Sequence, residues 1–144
     1  MEIQTMGRVA VPARIENLED LYDAKRGRIS PDKVRRVEVQ DALIDTGATM
    51  LSLPGKLIGQ LGLRRHRTHT ARTTAGIVSF GVFEPVRLTV QGRECVIEVT
   101  DVPDDCPVLI GQVPLEVLDF VVDTKGQRLI GNPDHGGQHM FDMF

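Results

Sequence analysis

Apolar side chains recur at every second position through most of this chain, and three short stretches break that period. Residues 6–15 alternate loosely (Met6, Val9, Val11, Ile15) and predict a first strand, with Pro12 marking an edge or a bend. From Val34 the chain turns apolar again and runs through Val37, Val39, Ala42, Leu43 and Ile44 into Asp45. Segments 68–74, 77–83, 86–91 and 94–100 are rich in Thr, Val and Phe, and Gly76 and Gly92 lie between them at hairpin-turn positions. Residues 107–111 (PVLIG) predict a compact apolar strand, and residues 119–130 predict two strands around a Lys125–Gly126 turn.

The three exceptions predict short helices. Over 17–25, Asn17 is placed to cap, Asp20 sits at the third helical position, and Leu18, Leu21 and Tyr22 share a face. Residues 55–62 (GKLIGQLG) form the second, ended by Gly62. The third runs from Leu115 to Leu118 behind Pro114, since proline suits a first helical turn. Many short strands with frequent turn signals, and helices too short for a parallel α/β sheet, predict an all-β barrel or sandwich. We expect one domain over residues 1–144, with 16–36 a helical insertion and connector and the Gly/Asn/His-rich tail, 132–144, mobile unless a partner orders it.

Composition narrows the class. At 41% apolar residues the chain supports a core, one without tryptophan. A net charge of −3 gives no electrostatic footprint for nucleic acid, and the run Arg64, Arg65, His66, Arg67 reads as a solvated loop. No apolar stretch approaches the ~18 residues of a membrane span, and MEIQTMGRVAV lacks a signal-peptide core, so the expectation is a cytoplasmic protein with no membrane partner. Cys95 and Cys106 form no CxxC pair and are expected as free thiols. Neither His66 with His69 nor His135 with His139 makes a convincing metal pair, because Gly136 and Gly137 oppose the helix that would align the latter. No metal or cofactor is expected. Asp104 and Asp105, between Pro103 and Pro107, read as an exposed turn.

The chemistry gathers at ALIDTGATMLSLP, residues 42–54. A strand end presents one carboxylate, Asp45, immediately before a tight turn of Thr46, Gly47, Ala48 and Thr49, as acid–base work on a bound substrate requires. The bland alternative is an Asp capping its own turn. Asp-x-Gly-x-Thr also occurs in the phosphate loop of actin-like ATPases, but that fold needs two α/β halves and far more chain.

With its flanks, Leu43-Ile44 before and Leu51-Ser52-Leu53-Pro54 after, this string resembles the active-site loop of retropepsin-like aspartic proteases. The Gly-containing segment TARTTAGIVSFGVF follows about where such enzymes carry a flap, and Leu109-Ile110-Gly111 precedes a short helix as in that family's second half. The resemblance covers about residues 37–131. It implies a closed β-barrel with a flap hairpin, and an endopeptidase in which Asp45 is the catalytic acid/base. Thr46 would bond across a dimer, and Gly47 would let its amide approach the carboxylates. Thr74, Ala75, Gly76 and Ile77 would form the flap tip over an extended peptide or protein substrate.

The motif occurs once, since Asp123-Thr124 is followed by Lys125 and reads as a hairpin turn. A carboxylate pair therefore requires a homodimer with a two-fold axis between two Asp45 side chains. The alternative is a catalytically silent dimerisation or peptide-binding module on the same fold. Ala48 removes the hydroxyl donor of pepsin-like versions, which predicts a less acidic optimum. Ala48→Ser should move the acidic limb of the pH–rate profile downward, and an unchanged limb contradicts this.

Overall fold

The structure is a computed structural model describing residues 8–143; Met6 and Phe144 of the sequence reading lie outside the described residues. The strands are β1 (Val9–Asn17), β2 (Arg36–Ile44), β3 (Leu51–Pro54), β4 (Arg65–Thr73), β5 (Gly76–Val90), β6 (Arg93–Val102), β7 (Leu109–Ile110), β8 (Phe120–Asp123) and β9 (Arg128–Gly131). The helices are α1 (Leu18–Lys25), α2 (Gly55–Leu61) and α3 (Gln112–Leu118). The all-β expectation holds, and so do the three short helices. Each helix forms for a local reason. Asn17 Oδ1 accepts the Asp20 amide at 2.9 Å to cap α1, α2 closes at left-handed Gly62, and Pro114 sits in the first turn of α3.

The main sheet runs β1-β2-β7-β3-β6-β5-β4, and β1 pairs again with β5. Six strands thereby close into a ring, leaving β4 outside it as one arm of a long hairpin with β5. The β8–β9 hairpin forms a separate two-stranded sheet. One apolar cluster fills the ring, drawn from segments between Val9 and Leu129, with Ile15, Leu51, Leu53, Leu61, Leu88, Val99, Ile110 and Leu118 fully buried.

Bulges re-aim three strands. On β2 the inward positions are Val37 and Val39, then Ala42 and Ile44, so the parity switches within the strand. The register explains it: Val11 pairs with Ala42 but Ala13 with Val39, leaving one extra residue on β2 opposite Pro12. Were the same residues paired without the bulge, the odd positions would stay inward and Asp45 would follow Val37 and Val39 toward the core. Further shifts occur at His66 on β4 and at Glu84–Pro85 on β5, where the two segments 77–83 and 86–91 join as one bent strand.

Two expectations are corrected. Arg64 to Arg67 is exposed as expected but is not a loop: Arg65 opens β4, and Arg64 pairs with Glu84 at 2.8 Å and Arg67 with Glu98 at 2.6 Å. The apolar face of α1 stays half-exposed, and its buried residue is Asp20, which takes the Arg35 guanidinium at 2.8 and 3.0 Å. Hydrogen bonds tie the tail to the body. Asn132 caps a 3-10 turn at Pro133–His135, the Arg93 guanidinium reaches Gly137 O at 2.6 Å, and Asp119 accepts from His135 Nδ1 at 2.7 Å and from the Met140 amide at 3.1 Å. Met140, Phe141 and Met143 beyond it are exposed, so they are not part of the chain's own core.

That tail clamp is pH-sensitive in a defined sense. Hydrogen bonds to Asp119 and then Asp142 raise His135 above its ordinary value. Burial pushes Asp119 up, but His135, the Met140 amide and Asn132 outweigh it and hold it down at about 2. Stabilisation from His135 is full below the ordinary histidine value and is lost as pH rises through its raised value; that from Asp119 is lost only as pH falls toward about 2. Amide exchange of residues 135–142 should therefore be slowest in mildly acidic solution and quicken toward alkaline pH. A flat profile, corrected for intrinsic exchange, contradicts this.

Glu16 locks the closure of the ring. Its side chain is 3% exposed and holds Arg87 at 2.8 Å and Arg36 at 3.1 Å, tying β1 to β5 and β2. Burial raises its pKa, yet the bonds from Arg87 and Arg36 outweigh it and the net shift is downward. Glu16→Gln should cost about 2 kcal/mol near neutral pH, since charge-assisted hydrogen bonds are lost while both arginines keep some solvent. The contribution is present above the ordinary glutamate value and lost as pH falls through the lowered one. Denaturant melts should show the two proteins converging in acid.

Candidate active site

Asp45 follows the last residue of β2, and its position is fixed by a strand that arrives 65 positions later in the chain. β7 inserts between β2 and β3, parallel to the former (Ile44 opposite Ile110) and antiparallel to the latter (Leu51 opposite Ile110). The Asp45 amide donates to Ile110 O at 3.0 Å, so backbone rather than side chain sets where the carboxylate starts.

The turn then folds over the start of α3. Three amides leading into that helix would lack partners, as at any helix N-terminus. Here Gly111 N donates to Met50 O, Gln112 N to Ala48 O and Val113 N to Thr49 O, each at 2.9 Å. The contact is too close for a side chain: a Cβ on Gly111 would meet Met50 O at 2.5 Å and Ala48 O at 2.7 Å. Glycine at 111 is a packing requirement.

Within the turn, Asp45 Oδ1 accepts the Gly47 amide at 3.0 Å and Asp45 O accepts the Ala48 amide at 3.0 Å. One carboxylate oxygen is thus oriented by backbone, and Asp45 remains half-exposed with Thr46 and Gly47 open to solvent beside it. The approach at Gly47 is tight as well, with a Cβ there 3.2 Å from Asp45 Oδ1. The arrangement presents to solvent a carboxylate oriented by backbone, on an open face.

Thr74 and Ala75 form the two-residue turn joining β4 to β5, with Thr73 opposite Gly76. Thr73 Oγ1 donates to Gly76 O at 2.9 Å and accepts the Ala75 amide at 3.1 Å, and Gly76 takes φ +111°. Ile77, 73% exposed, stands just behind the tip. The four residues assigned to a flap therefore share one hairpin end. Against the hairpin face lies a cleft of about 150 Å³ lined by Met50, Arg67, His69, Phe80, Val82 and Thr100, which reaches the Asp45 turn only through Met50, the residue just after it.

A larger groove of about 370 Å³ lies between Pro12–Arg14, Glu38–Gln40 and Thr89–Gly92, but its lining includes no residue of the Asp45 turn. Asp123 is occupied as a turn residue, accepting the Gly126 amide and Arg128 Nε, both at 3.2 Å. Cys95 is buried and its thiol pushed up to about 11, which makes it inert packing; Cys106 is free and half-exposed.

Several supporting groups carried no signal in the sequence. Asp104 accepts the Lys56 amide at 3.0 Å and so caps α2 from a distant loop. Asp101 accepts the Gly81 amide at 3.1 Å at the root of the hairpin, and Ser52 and Thr100 hydroxyls bond at 2.8 Å beneath the turn. Each joins residues twenty or more positions apart, beyond the reach of local pattern.

No protein-family model matches the chain, and no curated protein matches it. Among solved structures it is similar to the simian foamy virus (mac) protease in solution, at 21% identity and a TM-score of 0.46, covering 76% of this chain and 93% of that one. It is also similar to the EIAV protease complexed with the inhibitor HBY-793, at 20% identity and a TM-score of 0.45, covering 76% of this chain and 86% of that one.

Proposed function

We propose that this chain is a retropepsin-like aspartic endopeptidase, working as a homodimer in which Asp45 of each copy supplies half of a carboxylate pair. The observation that carries the reading is the backbone clamp on Asp45: a carboxylate aimed by the Gly47 amide, on a turn held by β7 and the start of α3. The Gly47 bond is one that a turn-capping aspartate also makes; what favours the catalytic reading is the hold of β7 and the start of α3 on the turn. Two carboxylates in contact cannot both ionise at neutral pH and hold one proton between them. The ionised one takes a proton from a bound water as its oxygen attacks the scissile carbonyl. The protonated one gives its proton to the carbonyl oxygen, leaving a neutral diol that collapses with proton transfer to the departing amine.

Thr46, exposed beside Asp45, is placed to meet the second copy, and the β4–β5 hairpin closes over the bound peptide and excludes water. No metal or cofactor takes part, and we place the protein in the cytoplasm without nucleic-acid or membrane partners. A peptide-library digest scanned across acidic to neutral pH, with Asp45→Asn as control, tests the reading. Cleavage lost in the variant supports it. Peptide binding without turnover at any pH supports the silent module instead.

A further inference from the structure

Both arms of the long hairpin are irregular at one level. On β4, Arg65 pairs with Phe83 and Arg67 with Val82, which leaves His66 as an extra residue. On β5, Phe83 pairs with Val99 and Val86 with Ile97, so Glu84 and Pro85 stand opposite the single residue Glu98 of β6. Bulged residues drop out of the ladder, and a strand bends there more readily than along its regular rungs. Beyond this level β5 stays on β6 only as far as Val82, opposite Thr100; from Gly81 to Gly76 it pairs with β4 alone. A lone two-stranded ribbon is marginally stable, and this one is exposed along most of both arms. What sets its direction must act at its root.

One carboxylate reaches that level from outside the hairpin. The Arg67 guanidinium donates to Glu98 Oε2 at 2.9 Å and to Oε1 at 2.6 Å, and His66 Nε2 lies 2.7 Å from Oε2. Since β5 runs between β4 and β6, this contact vaults one strand and joins the bulge of β4 to the residue facing the bulge of β5. A two-point contact between guanidinium and carboxylate fixes direction as well as distance. Its place matters too. Arg67 is opposite Val82 and Val82 opposite Thr100, and all three line the 150 Å³ cleft with His69, Phe80 and Met50. The other ties at the root lie elsewhere. Arg64 pairs with Glu84 and Glu19, none of which lines the cleft. Asp101, which accepts the Gly81 amide at 3.1 Å, lines a separate hollow of about 130 Å³ with Arg65, Thr68 and Ser79.

We propose that Glu98 is a positioning residue: through Arg67 and His66 it sets the angle of the β4–β5 hairpin, and with it the gap between Phe80 on the hairpin and Met50 after the Asp45 turn. This rests on the peptidase reading for what the hairpin closes upon, while the angle itself does not depend on turnover. With the pair made, a peptide entering between Met50 and the hairpin meets a wall already in place. With it broken, the two bulges let the hairpin swing, and the arrangement that receives peptide becomes one of several. Apparent affinity then falls with the fraction of molecules in that arrangement. The Asp45 turn is held separately, by β7 and the start of α3, so the chemical step on a bound peptide is unchanged.

The test reads hairpin angle and kinetics separately, on the full-length chain. Spin labels go on Ala75→Cys at the hairpin turn and Gly59→Cys on α2, two exposed positions, in a Cys106→Ser background. Doubly labelled protein is diluted into an excess of unlabelled protein, so that distances within one chain are read. Glu98→Gln should broaden the distance distribution, and so should Arg67→Gln, whose exposed site keeps folding out of question. High salt should broaden the Glu98 protein toward the variants and leave the variants as they are. Without labels, Glu98→Gln should raise KM about fivefold and leave kcat within about twofold, on a peptide that the wild type cleaves. A distribution as narrow in both variants as in wild type overturns the proposal, and so does a loss that falls on kcat alone. Broadening in the variants with no cleavage by wild type at any pH sinks the peptidase reading and leaves the hold of Glu98 on the hairpin. Cleavage by wild type with an unchanged distribution in the variants sinks this proposal alone.

Discussion

Asp45→Asn should abolish peptide cleavage, lowering kcat by at least about 10³-fold while leaving the fold and the dimer intact. The asparagine side chain is the same size, and its Oδ1 can still accept the Gly47 amide that aspartate accepts at 3.0 Å. What disappears is the proton that the pair must hold and pass, so neither the attacking water nor the carbonyl is activated. The effect should fall on kcat with little change in KM, since the cleft around Met50, Phe80 and Val82 is untouched. Sedimentation, circular dichroism and steady-state kinetics on the same preparation check all three parts. A variant that keeps even a tenth of the activity would place the chemistry elsewhere.

Gly111→Ala should be the most damaging methyl group that can be added to the site. Its Cβ would meet two backbone oxygens, Met50 O at 2.5 Å and Ala48 O at 2.7 Å, and neither belongs to a side chain that can swing aside. To admit it, the Asp45 turn must move off the start of α3, which breaks one or more of the three 2.9 Å bonds joining them. Overpacking of this kind costs about 3 kcal/mol. The displaced turn also carries the carboxylate, so activity per folded molecule should fall as well, by roughly a hundredfold for a misplacement near 1 Å. Gly59→Ala is the matched control, because a Cβ there meets nothing within 4 Å. Urea melts and active-fraction kinetics of both variants settle the comparison; equal stability would show that the clamp is loose.

The strands and helices were legible because their signals are local. Asn17, Pro114, Gly62, Gly76 and Gly92 each specify a cap or a turn from the residue's own chemistry, and the structure uses all of them so. The DTG turn was visible for the same reason, as was the Asp123 hairpin. Features resting on pairing between distant segments were not visible. The extra residue on β2 that redirects Asp45 is defined only by its register against β1. The Arg64–Arg67 run reads as an unpaired loop until Glu84 and Glu98 arrive from other strands. In the tail, the bonds from Arg93 to the Gly137 carbonyl and from His135 to Asp119 had no local signal. In each case a polar residue of ordinary appearance is satisfied by a partner that the chain brings back later.

The central claim is that the active unit contains Asp45 from two copies of the chain, and mixing tests it directly. Wild type and Asp45→Asn are combined in equal amounts, allowed to exchange subunits, and assayed for cleavage at fixed total protein. A shared pair is complete only in wild-type homodimers, so about a quarter of the undiluted wild-type activity should remain. If each chain carried its own complete site, about half would remain in the equal mixture, activity would follow the wild-type fraction at other ratios, and the shared pair would be contradicted.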